Sequence, residues 1–253
     1  MWGLMKYGEE HPLKKLESVT KSVGLVILAR MSSSRLPGKA LKLIQGKETL
    51  KHILDRLAQV MDLSKVILAT SDDPSDDPLE EFASRNSLAI YRGSLEKVAE
   101  RFYAAAKELE VDYACRINGD NIFLAPEILK SMIDQARSGN YVFLSNVLGR
   151  TYPKGMSVEI VSLDYYAQKL PAIQLDSYCN EHVMVCLYGD ENTEGHYYLK
   201  NTDLPEAAAI QLALDTPEDW ERSNWILEAI PSQQFDLETT FDYYQRYEKS
   251  LSR

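Results

Sequence analysis

The sequence contains little cysteine, and the cysteines that it has form no familiar binding pattern. Cys115, Cys179 and Cys186 are odd in number and include no C-x-x-C pair. Zinc sites and the disulfide frameworks of small secreted proteins normally show paired, regularly spaced cysteines. We therefore expect three reduced, mostly structural thiols, with neither a zinc site nor a disulfide framework.

Long apolar runs and an excess of positive charge are also absent. No apolar stretch approaches the roughly 20 residues that cross a bilayer, and residues 1–22 mix Lys, Glu, His and Pro without the apolar core of a signal peptide. A formal net charge of −10 argues against a nucleic-acid groove as the main activity. We expect a polar leader over 1–22 and a soluble, cytoplasmic protein that has neither a nucleic acid nor a membrane as its partner.

The first half of the chain alternates short apolar runs with amphipathic helix patterns. The runs are rich in β-branched residues and predict strands at 23–29, 65–70, 88–91 and 113–117. Helices between them, one of which opens at Pro126, indicate a mostly parallel sheet that is covered on both faces. The predicted fold class is α/β, with a Rossmann-like mixed, mostly parallel sheet flanked by helices.

This alternation changes after about residue 140. Further strands are predicted at 141–145, 158–161 and 210–214, and 152–155 is typical of a turn or flap over a site. Thr216 as N-cap, followed by Pro217 and Asp219, predicts a helix start, and 241–251 predicts a closing amphipathic helix. No repeat or long linker divides the chain, so we expect residues 23–253 to form a single domain.

A cationic loop follows the first predicted strand. Arg30, Arg35 and Lys39 lie within ten residues of one another in a chain of the opposite overall charge. Ligands of open α/β sheets usually bind at the carboxyl ends of strands, so this loop is a candidate anion site, with a solvated basic loop as the alternative. A Walker P-loop is excluded because that motif needs Gly where Ser33 stands and Ser or Thr where Ala40 stands.

Two separated carboxylates are candidates for a metal site. Asp120 follows the strand at 113–117, and Asp215 ends the predicted strand at 210–214. Nucleotidyl transfer needs charge neutralisation on a triphosphate and a divalent metal, and Mg²⁺ accepts carboxylate ligands beside phosphates and water. The alternatives are a turn residue for Asp120 and a helix-cap residue for Asp215.

Several motifs, in order along the chain, carry a family resemblance. The run Ala29–Lys39 resembles the nucleotide signature of sugar cytidylyltransferases, in particular the group similar to spore-coat polysaccharide biosynthesis protein F, which is related to the 3-deoxy-manno-octulosonate and acylneuraminate cytidylyltransferases. Four later segments are similar to further motifs of that family: 116–121 to R-x-T-G-D-C-P, 154–159 to K-G-L-D-V-E, 180–183 to R-E-H-V and 214–219 to V-D-T-P-E-D.

The resemblance implies a fold of the nucleotide-diphospho-sugar transferase type and assigns roles to matching residues. Catalysis is assigned to Arg30, Arg35, Lys39, Asp120 and Asp215, and Mg²⁺ to Asp120 and Asp215. Nucleotide binding falls to Leu28, Ala29, Arg30, Ser34, Arg35, Lys39, Thr70, Ser94, Asn118 and Gly119. Acceptor binding falls to Lys154, Glu159 and His182, the last with a structural histidine as the alternative. A homodimer is also implied, with 140–200 as the acceptor-binding and dimerisation subregion.

The acceptor-side motifs depart from the family pattern more than the nucleotide-side motifs do. Ser157 stands where the family has Asp, Asn180 where it has Arg, Asn118 where Thr is usual and Ile122 where Pro is usual. The loss of the Asp and the Arg removes two charges near the expected acceptor pocket. This difference suggests an unusual acceptor.

We therefore expect a Mg²⁺-dependent cytidylyltransferase that joins CTP to a hydroxyl of an acidic sugar, giving a CMP-sugar and pyrophosphate for surface polysaccharide synthesis. One alternative is transfer to a sugar phosphate or polyol phosphate, for which Arg150, Lys154 and Lys169 would supply cations. The other is a non-catalytic subunit that only binds CTP.

Overall fold

The computed structural model of the chain describes residues 20–231 and 235–252. Most of the predicted leader therefore lies outside the described residues. Seven strands form one sheet in the order β5-β4-β1-β6-β8-β7-β9, and a two-stranded hairpin, β2-β3, lies apart from it. The strands are β1 (Val23–Leu28), β2 (Leu43–Ile44), β3 (Lys47–Glu48), β4 (Val66–Ser71), β5 (Ala89–Gly93), β6 (Tyr113–Asn118), β7 (Phe143–Ser145), β8 (Glu159–Ser162) and β9 (His196–Tyr198).

The sheet is parallel on one side and mixed on the other. Strands β5, β4, β1 and β6 run parallel to one another. Strand β8 is antiparallel to both β6 and β7, and β9 is parallel to β7. The predicted mixed, mostly parallel sheet is confirmed, and the change of strand direction comes where the sequence pattern changes.

Helices cover both faces of the sheet, as predicted. They are α1 (Thr49–Leu57), α2 (Asp77–Arg85), α3 (Val98–Glu108), α4 (Pro126–Ser138), α5 (Leu163–Leu175), α6 (Ser177–His182), α7 (Pro217–Ala229) and α8 (Leu237–Leu251). Side chains alternate across β1, so Leu25 and Ile27 pack against α1, α2 and α4, whereas Val26 packs against α3 and α5. Among the described residues, no helix has the length and apolar character needed to cross a bilayer.

Local signals fixed several helix ends as expected. Helix α4 begins at Pro126, and α7 begins with a capping box in which Thr216 and Asp219 bond each other's backbone. Helix α8 starts earlier than the predicted residue 241, because Asp236 caps it through the backbone N–H of Thr239.

The strand predicted at 210–214 is wrong. Gln211 makes one isolated parallel bridge to Lys154, and no ladder extends from it. The segment is extended because its backbone bonds to two loops, with Leu212 N–H donating to the Lys154 carbonyl (2.7 Å) and Leu214 N–H to the Asp120 carbonyl (3.0 Å). The alternating apolar run at 210–214 is therefore an extended connector whose backbone hydrogen bonds join the two loops.

Candidate active site

The site lies where β1 and β6 end side by side. The backbone N–H of Gly119 donates to the Leu28 carbonyl at 2.9 Å. A Cβ atom at Gly119 would lie 2.7 Å from the Cβ of Ala29 and 3.0 Å from that carbonyl oxygen, so a side chain there would force the two strand ends apart. Glycine at this position brings Asp120 next to the cationic loop.

A buried carboxylate, Asp76, holds the start of that loop. It accepts hydrogen bonds from the backbone N–H of Met31 (2.6 Å), the Thr70 hydroxyl (2.9 Å) and the backbone N–H of Ser71 (3.1 Å). Burial disfavours the charged form of Asp76, but these hydrogen bonds outweigh burial and hold the pKa of Asp76 below its ordinary value. Strand β4 is thereby attached to the loop through one side chain.

Thr70 requires a correction, because it was predicted to contact the nucleotide. Its side chain is 0% exposed and its hydroxyl is engaged by Asp76, so it does not face the cavity above the loop. Thr70 supports the loop from behind. A strand-end threonine can point to either face of the sheet, and the sequence motif alone does not distinguish the two.

Two carboxylates converge on one lysine at the centre of the site. The Nζ of Lys39 lies 2.6 Å from Asp120 Oδ2 and 2.9 Å from Asp215 Oδ1, and Arg35 reaches the same Asp215 oxygen at 3.1 Å. Burial lowers the pKa of Lys39, but its bonds and charge interactions with Asp120 and Asp215 outweigh burial and raise that pKa above the ordinary value. The structure therefore brings together four of the predicted cations and carboxylates at a single point.

The structural roles that were the alternatives leave both carboxylates available, although Asp120 does lie in a turn, where the backbone N–H of Asn121 donates to the Asn118 carbonyl at 3.1 Å. The cap of α7 is Thr216, and Asp219 accepts the backbone N–H groups of Asp215 and Thr216 at 3.0 and 2.9 Å. The carboxylate of Asp215 is therefore left to face the cavity. Asp120 supplies its carbonyl to the connector at 210–214 and its carboxylate to Lys39.

A cavity of about 350 Å³ lies above the loop. Its wall includes Ser32, Ser33, Val98 and Glu181, and both carboxylates face it. The predicted residues that line it are Leu28, Ala29, Arg30, Ser34, Arg35, Lys39, Asn118, Gly119, Asp120, His182 and Asp215. We call this space the donor cavity.

Sequence reasoning missed a buried arginine in the donor cavity. Arg101 on α3 is 4% exposed, and its Nη1 donates to the carbonyls of Ser94 (2.6 Å) and Leu95 (3.4 Å). Burial lowers the pKa of Arg101, and no carboxylate among residues 20–231 and 235–252 forms an ion pair with it. An arginine on the apolar face of α3, level with Val98 and Phe102, was the signal that could have identified it.

Ser94 also requires a correction. It does not line the donor cavity, although it was predicted to bind the nucleotide. Its carbonyl holds Arg101, and its hydroxyl accepts the backbone N–H of Lys97 at 3.3 Å just before α3. Ser94 positions a cation that faces the cavity, because the chain turns at the end of β5 before the helix starts.

A second cavity of about 590 Å³ adjoins the first, and we call it the acceptor cavity. The predicted flap forms one wall, where Gly155 has φ +101° and a Cβ atom would lie 2.5 Å from the backbone N of Ala213. Lys154, for which acceptor binding is predicted, lies beside it and lines the cavity. The two cavities share Arg35, Arg116, Asn118, Asp120, His182 and Asp215.

Glu159, a predicted acceptor residue, lies beneath this cavity and does not line it. It is 3% exposed, forms an ion pair with Arg116, and accepts a 2.5 Å hydrogen bond from the Tyr188 hydroxyl. The hydroxyl of Ser145 bonds Tyr188 at 2.6 Å, which completes a buried chain of polar groups. Burial lowers the pKa of Arg116, but the charge of Glu159 outweighs burial and raises it.

Arg116 is the group that faces the ligand space, and Glu159 acts through it. The side chain of Arg116 is 16% exposed and lines both cavities. The sequence signal for Arg116 was a charged residue within the apolar strand β6, four residues before Asp120. The prediction for Glu159 was wrong because residues in adjacent strands that point to the same face can pair with each other instead of reaching a ligand.

His182 lies at the junction of the cavities, at the end of α6. It lines both cavities, and its ring packs on Tyr178 with centroids 4.4 Å apart. The preceding Glu181 pairs with Arg30 at 3.2 Å, so this helix end reaches the cationic loop. Asn180 points elsewhere and donates to the Glu96 carbonyl at 2.8 Å.

The expectation of three reduced cysteines is wrong for two of them. Cys179 and Cys186 form a disulfide with Cα atoms 5.5 Å apart, and only Cys115 is free among the described residues. The pairing arises because α6 ends at His182 and the chain turns back through Val183, which has φ +60°. A separation of seven residues does not indicate such a turn in the sequence.

The oxygen-rich centre is suited to a hard divalent cation held jointly with a ligand. Within the described ranges, no group of three or more His, Cys, Asp or Glu side chains surrounds a metal position. Asp120 and Asp215 would supply two oxygen ligands, a number that suits a divalent metal such as Mg²⁺ when phosphates and water complete its shell. The cations of the loop and the two carboxylates could together hold a triphosphate and a metal.

Comparison with known proteins identifies relatives along most of the chain. The sequence profile of the family described as cytidylyltransferase matches residues 25–168. The spore coat polysaccharide biosynthesis protein SpsF of Bacillus subtilis is 30% identical over 205 residues, which cover 78% of this chain and 82% of that protein.

Solved structures show the same architecture. A cytidylyltransferase from Leptospira borgpetersenii superposes with a TM-score of 0.80 at 31% identity, covering 92% of this chain and 96% of that one. A CMP:2-keto-3-deoxy-manno-octonic acid synthetase complexed with CTP superposes with a TM-score of 0.62 over 82% of this chain and 99% of that one, and at 18% identity this likeness concerns the fold. The predicted fold type is confirmed by these neighbours.

Proposed function

The chain belongs to the cytidylyltransferase family, a family of CTP-utilising nucleotidyltransferases, and we propose that it transfers CMP from CTP to a hydroxyl of an acidic sugar with Mg²⁺ as cofactor. The acceptor oxygen forms a bond to the α-phosphorus, the bond between that phosphorus and the bridging β-oxygen breaks, and pyrophosphate leaves. The product is a CMP-sugar, and by analogy with the named relative we assign it to surface polysaccharide synthesis. We locate the reaction in the cytoplasm, where CTP is made.

The observation that carries this proposal is the position of Lys39 between Asp120 and Asp215, at 2.6 and 2.9 Å, where the donor and acceptor cavities meet. A donor in one cavity and an acceptor in the other would approach each other at these carboxylates. Alignment of this kind lowers the barrier because the reactants no longer lose their freedom of motion during the reaction.

The donor cavity supplies the cations for a triphosphate. Arg30, Arg35, Lys39 and Arg101 face one space. Arg30 and Arg35 hold carboxylates in the ligand-free protein, at 3.2 and 3.1 Å, and would exchange them for phosphate oxygens. Arg101 has no such partner to lose among the described residues, so it is the cation most ready for an anion.

The base and ribose belong beside the backbone of the two strand ends. Ala29, Asn118 and Gly119 line that part of the donor cavity, and the absence of a side chain at Gly119 lets a planar group approach the backbone. Leu28 and Ser34 complete this wall. These contacts are the ones that would distinguish cytosine from other bases.

The carboxylates fit Mg²⁺ as donors, since both are oxygen ligands held at one point. Bound Mg²⁺ would neutralise charge on the α-phosphate and the departing pyrophosphate. Asp120 and Asp215 would hold the ion, and Lys39 would move from the carboxylates to the phosphates. His182, exposed at the junction, would accept the proton of the attacking hydroxyl, and Lys154 would hold the acceptor.

A pyrophosphate-release screen tests the function. The protein would be incubated with CTP, UTP, ATP or GTP against acidic sugars, sugar phosphates and neutral sugars, each with and without Mg²⁺. We expect release only with CTP, an anionic sugar and Mg²⁺ together. Tight CTP binding by calorimetry without release for any acceptor would instead favour a binding subunit.

We also propose a homodimer formed through residues 140–200. Three large apolar side chains are exposed within that segment: Leu148, Leu175 and Tyr178, of which Leu175 is 90% exposed. Leu175 and Tyr178 lie three residues apart at the junction of α5 and α6, and neighbouring exposed apolar groups are typical of interaction surfaces. Sedimentation velocity would show a dimer for the wild type and a monomer for Leu175→Glu; a monomeric wild type would contradict the proposal.

A further inference from the structure

The acceptor cavity contains an arginine that lacks a carboxylate partner. Arg150 is partly buried, and its Nη1 donates to the Pro153 carbonyl at 3.3 Å and the Ser157 hydroxyl at 3.4 Å. No ion pair of Arg150 occurs within residues 20–231 and 235–252. Burial lowers the pKa of Arg150 because the charged guanidinium loses contact with water and no carboxylate beside it among the described residues makes up for that loss.

The nearest opposite charge is already committed. Glu159 is the carboxylate whose field acts on Arg150, and its two oxygens are taken by Arg116 and by the Tyr188 hydroxyl. Two guanidinium groups therefore share one buried carboxylate. Arg150 keeps donors that could bind an anion entering from the cavity that it lines.

The remaining carboxylates of the cavity are committed as well. Asp120 and Asp215 bond Lys39, while Asp219 forms an ion pair with Arg222 and closes the capping box of α7. Lys154 on the flap lines the same cavity as Arg150 and makes no ion pair within the described part of the chain. The positive charge of the acceptor cavity that has no carboxylate partner thus lies on Arg150 and Lys154.

Ser157 is the residue that leaves Arg150 without a partner. Its hydroxyl accepts a hydrogen bond from Arg150 Nη1 at 3.4 Å but carries no charge, so it does not neutralise the guanidinium. An aspartate there would stand within reach of Arg150 and neutralise it. With serine, the guanidinium stays available.

We propose that Arg150, assisted by Lys154, binds an anionic group of the acceptor, either a carboxylate or a phosphate, and that Ser157 keeps this site open. The inference rests on the proposed function, because it concerns the acceptor of that reaction. Arg150 determines specificity, and Asp120, Asp215 and Lys39 remain the centre of the chemistry. The site selects acceptors by charge, since a neutral sugar would leave the guanidinium unpaired.

The test measures acceptor binding directly. Each protein would be saturated with Mg²⁺ and α,β-methylene CTP, which cannot release pyrophosphate, and titrated by calorimetry. The carboxylate arm uses 3-deoxy-manno-octulosonate and N-acetylneuraminate, the phosphate arm uses glucose 1-phosphate and ribitol 5-phosphate, and the neutral arm uses mannose. The variants are Arg150→Gln, Ser157→Asp, Ser157→Ala and the double variant Arg150→Gln/Ser157→Asp.

We expect the wild type to bind one anionic arm and not mannose. Arg150→Gln and Ser157→Asp should each raise that Kd by about tenfold or more, since a charge-assisted bond is lost or diverted. Ser157→Ala, the matched control, should leave it within about twofold because no competing charge is introduced. In the double variant the aspartate has no guanidinium to neutralise, so the two effects should be much less than additive.

An unchanged Kd in Arg150→Gln, or the binding of no anionic sugar by the wild type, would overturn this inference. Unchanged affinity for the CTP analogue shows that each variant is folded around an intact donor cavity. The outcome is separable from that of the proposed function. Arg150-dependent acceptor binding without pyrophosphate release would contradict the proposed function alone. CMP transfer at a rate that neither Arg150→Gln nor Ser157→Asp changes would contradict the inference alone.

Discussion

The donor cavity is built on the ends of parallel strands, whereas the acceptor cavity is built largely on the flap, the segment before the antiparallel strand β8, and a connector. In the donor half, the backbone sets the geometry, as in the contact of Gly119 with Leu28. In the acceptor half, side chains set it, through the buried series from Glu159 to Ser145. We infer that a substitution in the donor half removes a group that itself faces the ligand. In the acceptor half, a substitution of a buried residue can change a ligand-facing group that it positions.

The largest effect is expected at Asp120, one of the two carboxylates that line both cavities. Asp120→Asn should reduce the rate of pyrophosphate release about a thousandfold at saturating Mg²⁺, because a metal ligand that stabilises the transition state by several kcal/mol is lost. The measurement is a coupled pyrophosphate assay. Asp134→Asn on the outer surface of α4 is the matched control. Near-normal release by Asp120→Asn would show that the reaction centre lies elsewhere.

A smaller effect, confined to the donor half, is expected from Arg101→Met. Loss of a buried guanidinium that faces the triphosphate should raise the Kd of CTP by about tenfold to a hundredfold, as expected for hydrogen bonds to a charged group. Calorimetry measures it, with Arg137→Met on α4 as control. An unchanged Kd would mean that Arg101 serves only the turn at Ser94 and Leu95.

Tyr188→Phe tests action at a distance in the acceptor half. The substitution removes the donor to Glu159 without touching either cavity, so Arg116 loses its fixed position. The acceptor KM should rise about fivefold, from a hydrogen bond of ~1 kcal/mol, while the Kd of CTP changes by less than about twofold, because the other cations of the donor cavity are untouched although Arg116 also lines it. Tyr243→Phe on α8 is the control. A fivefold rise in the Kd of CTP as well would contradict the inference that the two halves respond differently to substitution.

The smallest effect on ligands is expected from Thr70→Val. Its hydroxyl bonds Asp76 out of reach of the donor cavity, so the Kd of CTP should remain within about twofold while the free energy of unfolding falls by about 1 kcal/mol. Chemical denaturation and calorimetry measure the two quantities, and the exposed Thr202→Val serves as control. A tenfold weaker affinity for CTP would instead support the direct contact between Thr70 and the nucleotide that the sequence motif predicts.

The sequence predicted the parallel half of the molecule well because its signals are local. Each βα unit carries its own strand, turn and helix cap, and Lys39, Asp120 and Asp215 come at strand or connector ends where such units place ligands. The cationic loop could therefore be assigned without knowledge of which strands are neighbours.

The errors share a different cause, which is dependence on pairing between distant segments. Glu159 pairs with Arg116 in the adjacent strand, Cys179 reaches Cys186 only through the turn at Val183, and 210–214 has no ladder to join. None of these partners is visible in a local pattern. The short strand β9 and the hairpin β2-β3 escaped prediction for the same reason, since their few residues acquire strand character only by pairing.

Lys39 has one further consequence for the order of events at the site. Its ammonium acts as a tethered counterion that cancels the repulsion between Asp120 and Asp215 before any ligand arrives. A divalent ion alone would have to displace it, leaving an ammonium without an anion. A divalent ion that arrived with a triphosphate would give that ammonium a new anionic partner. Counterion exchange of this kind would make the binding of metal and nucleotide mutually cooperative, since each would raise the affinity for the other.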